Sequence, residues 1–165
     1  MKKTLILFFL GCAFLTACSS VDKNADTSSI SEKMNAWGDA DITNLEDTRL
    51  SDRFNKAVSP IIYFGFNVAH LDNAAMDILN EQIYWLQENP AAMILVEGHC
   101  DERGTREYNL ALGEKRANAV RDYMIASGIE PARIRTISYG KERPDVFGST
   151  EDAWSMNRRS VTIAN

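Results

Sequence analysis

The sequence predicts an α/β (α+β) sandwich in which two long helices pack on one mixed sheet, in the order βαβαβ(α)β. Three observations carry that prediction. Short apolar runs read as buried strands: Ile61-Ile62-Tyr63-Phe64, Met93-Ile94-Leu95-Val96, Ile134 to Tyr139 and Ser160 to Ala164. Two longer stretches between them carry apolar residues at helical spacing. Glycine and proline stand where the elements should end.

Taken in order, Leu50, Phe54 and Val58 stand at i, i+4 and i+8 and predict a short helix that caps the domain. Pro60 precedes the first strand, and Gly65-Phe66-Asn67-Val68-Ala69-His70 follows it as a loop. A helix then begins at Leu71 and Asp72, with Asp72 as its N-cap. Ala75, Met76, Leu79, Ile83 and Leu86 form its apolar stripe, and Asn89-Pro90 ends it. The second strand covers Met93 to Val96. Gly98 and Gly104 bracket a tight polar turn after it. The second long helix runs from about Arg106 to Ser127 and buries Leu112 or Gly113, then Ala117, Val120 and Met124. Gly128 is its C′ stop and Pro131 follows. After the third strand, Gly140 to Ser155 is a long loop with a helix from Glu151 through Met156, and the last strand closes the domain.

The chain has 165 residues and a net charge of −5, enough for one domain with appendages. Lys2 and Lys3 start an apolar run from Leu5 to Leu15, too short for the about 20 apolar residues that span a bilayer. Residues 1–17 therefore read as a signal peptide. Its removal takes Lys2 and Lys3 away and moves the charge from −5 to −7. Such an acidic chain gains nothing from phosphates, so nucleic acid is disfavoured as a partner. Residues 18–48 are rich in Ser, Asp, Asn, Thr and Lys and cannot bury enough surface to offset the entropy of ordering. They read as a flexible tether, interrupted by Met34 and Trp37; residues 49–165 form the domain. Of the three cysteines, Cys12 lies in the leader, Cys18 at the processing point and Cys100 in the domain, so no intramolecular structural disulfide is expected.

The most informative stretch runs from Glu97 to Ala117. Asp101 sits on a loop just past a strand end. Asn109, Leu112 and Arg116 stand at i, i+3 and i+7 and share one helix face. That face can look back at the loop, which places a carboxylate and a guanidinium across one small space. Such a pair suits a zwitterion with an ammonium and a carboxylate.

Gly98-His99-Cys100-Asp101, Asn109, Leu112, Arg116-Ala117, Ser138-Tyr139-Gly140, Pro144 and Asn157-Arg158-Arg159 together resemble the OmpA-like family of peptidoglycan-binding domains. The match runs from about Ile61 to Ile163. Asp101-Glu102-Arg103-Gly104, Tyr108-Asn109 and Leu112-Gly113-Glu114 are closer still to that family's lipoprotein branch. Leu15-Thr16-Ala17-Cys18 is similar to a bacterial lipobox, which implies a lipid-modified Cys18 at the new N-terminus. Several acyl chains anchor stably where one does not, at about 0.8 kcal/mol per buried methylene. Ser19 after the cysteine implies the outer membrane, with the domain facing the periplasm. The other reading of the leader is an ordinary cleaved signal with a chance cysteine.

The resemblance implies that Asp101 takes the ammonium and Arg116 the carboxylate of diaminopimelate in the peptidoglycan stem peptide. It implies Asn109 as a residue orienting the loop or the ligand, Arg158 as a support for the loop, and backbone contacts at Phe66 and Asn67; Leu112 reads as packing that forms the site's floor. Asn67 stands where the family usually has Asp, and Cys100 where Thr is common. The lipoprotein branch further implies partners in the Tol system, chiefly TolB, and a part in outer-membrane constriction at division. No cofactor is implied beyond the lipid on Cys18. Simpler readings stand beside these. Asp101 can cap the next helix or pair with Arg103, and Arg158 with Arg159 can be a solvated pair. Glu102 and Arg103 read as exposed and available to a protein partner. A metal site from His70, His99, Cys100 and Asp101 is disfavoured, because neighbours on an extended chain point to opposite faces. An enzyme that cleaves peptidoglycan is the rival function. Asp101 has no evident paired carboxylate, and no serine or cysteine is followed by a recognisable base.

Overall fold

The computed structural model describes residues 45–165. The leader, Cys18, Met34, Trp37 and the rest of the segment read as a tether up to residue 44 lie outside the described residues. The elements are α1 (Leu45–Ala57), β1 (Ile61–Tyr63), α2 (Asn73–Glu88), β2 (Ile94–His99), α3 (Arg106–Ala126), a 3-10 turn (Pro131–Arg133), β3 (Ile134–Gly140), α4 (Glu151–Asn157) and β4 (Arg159–Ala164). The sheet has the order β1-β4-β2-β3, with β2 and β3 parallel and the other pairs antiparallel. A parallel pair needs a crossover, and α3 supplies it. The mixed sheet with two long helices is the architecture that the alternating pattern predicts.

Local chemistry explains the helix ends. Asp72 caps α2, its carboxylate accepting from the Ala75 N–H at 2.8 Å. Thr105 caps α3 by accepting from Tyr108 N–H, and Thr150 caps α4 by accepting from Ala153 N–H. Gly128 ends α3 with φ +95°, a left-handed turn that suits glycine. Phe54, Ile62, Leu79, Leu86, Ile94, Val96, Val120 and Met124 form the centre of the core. Gln82, on the apolar stripe of α2, is also fully buried and donates to the Ser59 carbonyl at 2.6 Å. Arg133 ties the end of α2 to the sheet by donating to the carbonyls of Leu86, Asn89 and Ala92.

Two boundaries differ from the sequence reading. α1 begins at Leu45, inside the stretch read as tether. β2 does not stop at Val96 but continues through Gly98 to His99, so Gly98 belongs to the sheet and not to the turn. The reason is a close backbone approach. A Cβ on Gly98 would overlap the carbonyl oxygen of Gly113 in α3, and a Cβ on Gly113 would overlap the Ser138 hydroxyl. Two glycines facing each other let α3 lie directly on β2 and β3. The β2–β3 register shifts between Gly98 and His99, so the chain leaves the sheet immediately before Cys100 and Asp101.

Candidate functional site

The end of β2, the start of α3, the loop after β1 and the start of β4 converge on one pocket of about 270 Å³. Phe66, Asn67, Cys100, Asp101, Arg103, Gly104, Tyr108, Asn109, Leu112, Arg116 and Arg158 line it. Every ligand-site residue expected from the sequence therefore borders the same space: Asp101, Arg116, Asn109, Phe66, Asn67, Leu112 and Arg158. Their individual roles in the architecture differ.

Asp101 is buried and accepts from several donors. Arg103 donates its backbone N–H at 3.1 Å and its Nε at 3.2 Å to Oδ1, and its Nη2 at 2.6 Å to Oδ2. Arg158 adds Nη1 at 3.4 Å on Oδ2. Burial pushes this carboxyl up, but the hydrogen bonds and charge of Arg103, with help from Arg158, outweigh it. The net effect holds Asp101 below the usual carboxylate range. Arg103 is correspondingly pushed up by its hydrogen bond to Asp101. Arg103 thus takes the simpler reading of the sequence, a pair with Asp101, in place of the one that left it exposed for a protein partner. Its guanidinium lies between the rings of Phe66 and Trp154, at 4.1 and 4.0 Å from their centroids.

Arg116 is fully buried in α3. Its Nε donates to the Val68 carbonyl at 2.8 Å, Nη1 to His99 O at 2.7 Å, and Nη2 to Gly65 O at 3.0 Å. Nη1 also reaches the Cys100 sulfur at 3.5 Å. This side chain ties the loop after β1 to the end of β2, a structural duty that spacing alone does not reveal. Among the described residues Nη2 makes a single bond, which leaves one N–H to spare there. Burial lowers the Arg116 pKa from its ordinary value, against the charges of Cys100 and Asp101 that raise it. The ion pairs of Asp101 run to Arg103 and Arg158, not to Arg116.

Asn109 is buried at the start of α3 and donates from Nδ2 to the carbonyls of Arg103 and Thr105, at 2.8 and 3.1 Å. These bonds tie the side chain to the backbone of the loop. Arg158 is bonded on two sides: Nε donates to Phe64 O at 3.1 Å and Nη2 to Glu151 at 2.7 Å. Leu112 is half-buried and borders the pocket. Asn67 adopts φ 57°, and its Oδ1 accepts from the Tyr108 hydroxyl. That hydrogen bond joins the loop after β1 to α3 across the pocket mouth. Phe66 is exposed beside it.

Cys100 is buried, its thiol donating to Asn109 O at 3.3 Å, and burial pushes its pKa up to about 11. His99 is buried in β2, with Nε2 3.3 Å from Glu97 and its ring against Tyr139. Among the described residues, no group of three or more His, Cys, Asp or Glu side chains is placed to hold a metal. No described helix is long and apolar enough to cross a membrane. Sequence reasoning missed Tyr108 and Trp154 as site residues, and it gave Arg103 both as a partner for Asp101 and as an exposed residue, without choosing the pair. A signal existed for Arg103, which follows Asp101 by two residues in a turn closed by Gly104. Trp154 comes from a distant segment and leaves no local trace.

The pattern of the OmpA family matches residues 63–158. The chain is 46% identical over 115 residues to a peptidoglycan-associated lipoprotein of Brucella melitensis, covering 70% of this chain and 68% of that one. It is 37% identical to a peptidoglycan-associated lipoprotein of Pasteurella multocida over 163 residues, 98% of each chain. Among solved structures, the peptidoglycan-associated lipoprotein from Burkholderia pseudomallei superposes with a TM-score of 0.63 at 37% identity, over 65% of this chain and 91% of that one.

Proposed function

The chain belongs to the OmpA family, among its peptidoglycan-associated lipoproteins, and on that premise we propose that the domain grips peptidoglycan non-covalently through the diaminopimelate of the stem peptide. One observation carries the proposal: Asp101 and Arg116, far apart in sequence, border a single pocket sized for an amino-acid end group. Asp101 receives the ammonium. The spare N–H of Arg116 and its charge face the carboxylate. Leu112 and the exposed ring of Phe66 cover the aliphatic part. Charge-assisted hydrogen bonds are worth roughly 1.5–3 kcal/mol each, which gives a modest and reversible hold. Many copies on one polymer then hold firmly through multivalency.

The chain is anchored through lipid on Cys18 in the outer membrane and faces the periplasm. The likeness to the Pasteurella relative extends through the leader and supports this reading. The domain thereby links membrane to wall, as a partner of TolB and other Tol proteins during envelope constriction. Its role is binding, not catalysis. Incubation of the lipid-free chain with purified sacculi tests the core of this. Co-sedimentation without release of muropeptides is the expected result. Muropeptide release, or a chain that stays in the supernatant, contradicts it.

A further inference from the structure

We propose that Arg103 is an internal counter-ion of Asp101 that the ligand's ammonium must displace. The inference rests on the reading of Asp101 as the ammonium acceptor. Both oxygens of Asp101 are already engaged, and the shortest contact is with the Arg103 guanidinium. A ligand cation therefore exchanges with a cation and does not enter a vacant seat.

Three observations make Arg103 the partner that leaves. First, its side chain is 30% exposed, whereas that of Arg158 is 8% exposed and is also fixed by Phe64 O and Glu151. Second, the loop has ties that do not involve the Arg103 side chain. The Arg103 backbone N–H donates to Asp101, the Arg103 carbonyl accepts from Asn109, and Lys141 Nζ donates to the carbonyls of Glu102 and Gly104. Third, a displaced guanidinium has a place to go. Nη1 is already 3.9 Å from Glu151, and the rings of Phe66 and Trp154 flank the path on either side.

Two consequences follow. Apparent affinity falls by the fraction of time the site is open, so an internal counter-ion weakens binding in proportion to how well it holds. It also filters ligands. A neutral hydrogen-bond donor that replaces the guanidinium leaves the buried carboxylate with only the longer Arg158 contact at 3.4 Å as charge compensation, whereas an ammonium restores a second cation.

The test is calorimetric titration of the full chain in detergent micelles with a diaminopimelate-containing muropeptide, for the wild type, Arg103→Gln and Arg103→Lys. Thermal unfolding of each variant establishes that it is folded. The expected result is that Arg103→Gln binds about tenfold tighter than wild type, with Arg103→Lys between the two, because lysine keeps the charge and loses the two-pronged contact. Equal or weaker binding by a folded Arg103→Gln overturns the proposal while leaving the ammonium site standing. Absence of binding by the wild type and both variants overturns the ammonium site itself, and this proposal with it.

Discussion

The guanidinium of Arg103 lies on the carboxylate of Asp101, with Nη2 2.6 Å from Oδ2 and Nε 3.2 Å from Oδ1. The carboxylate assigned to a ligand's ammonium is thus already matched to a cation of the right charge. That match preserves the ionised form, since the pair holds Asp101 below the usual carboxylate range despite its burial. It also sets a pH limit. A depressed carboxyl contributes stability that is complete above its unfolded value and is lost as pH falls through its folded value. Loop order and sacculus binding should therefore be constant from neutrality down to about pH 4, near the ordinary Asp value, and fall only below it. Co-sedimentation across a pH series checks this, and an Asp101→Asn chain should bind at no pH in the series.

Arg116 is predicted to matter first for the fold. Replacing it with Ala leaves the carbonyls of Gly65, Val68 and His99 without their donor. Only the His99 bond is fully buried, the other two being part-buried, and a buried unsatisfied group costs about 1–3 kcal/mol, so Arg116→Ala should lose at least about 1 kcal/mol. Denaturant unfolding measures it. The direct test of its ligand role is then Arg116→Lys, expected to keep more of the fold but lose the spare N–H of Nη2 and most of the binding.

The contact between Gly98 and Gly113 gives a prediction free of the ligand. Gly98→Ala forces a methyl into the backbone of α3 and should cost about 3 kcal/mol, at the upper end for overpacking. Gly128 offers the control. It has a positive φ but nothing within 4 Å of a built Cβ, so Gly128→Ala should cost about 1–2 kcal/mol. A loss at Gly98 no larger than that at Gly128 would contradict the close approach as the reason for Gly98.

Burial pushes the Cys100 thiol up to about 11 from 9.0. The thiol should therefore resist alkylation at pH 8 in the folded chain and react once the chain is unfolded. A raised value stabilises fully below pH 9.0 and loses that contribution as pH rises towards about 11. Comparing the pH dependence of unfolding for wild type and Cys100→Ala isolates this loss from other groups that titrate there.

The fold was legible because local and long-range signals agree in this chain. Asp72 is followed by a helical stripe, Gly128 and Pro131 mark a stop, and apolar runs sit between them. The end of β2 was not legible. Gly98 is a turn signal by composition, and only its apposition to Gly113 shows why a strand needs it. The site was legible as a set of residues and not as a set of roles. Helical spacing puts Asn109, Leu112 and Arg116 on one face, yet it says nothing of which backbone carbonyls that face meets. Arg158 comes from the far end of the chain, and its bond to Asp101 exists only once β4 pairs beside β2.

The central claim is that the pocket between Asp101 and Arg116 recognises both charges of one zwitterionic end group. Titration of the lipid-free chain with a diaminopimelate-containing stem peptide, beside a lysine-containing peptide that keeps the ammonium and lacks the terminal carboxylate, tests it most directly. The account predicts saturable binding of the first, at least about tenfold weaker binding of the second, and loss of both in Asp101→Asn. Equal affinity for the two peptides, or undiminished binding by Asp101→Asn, would contradict it.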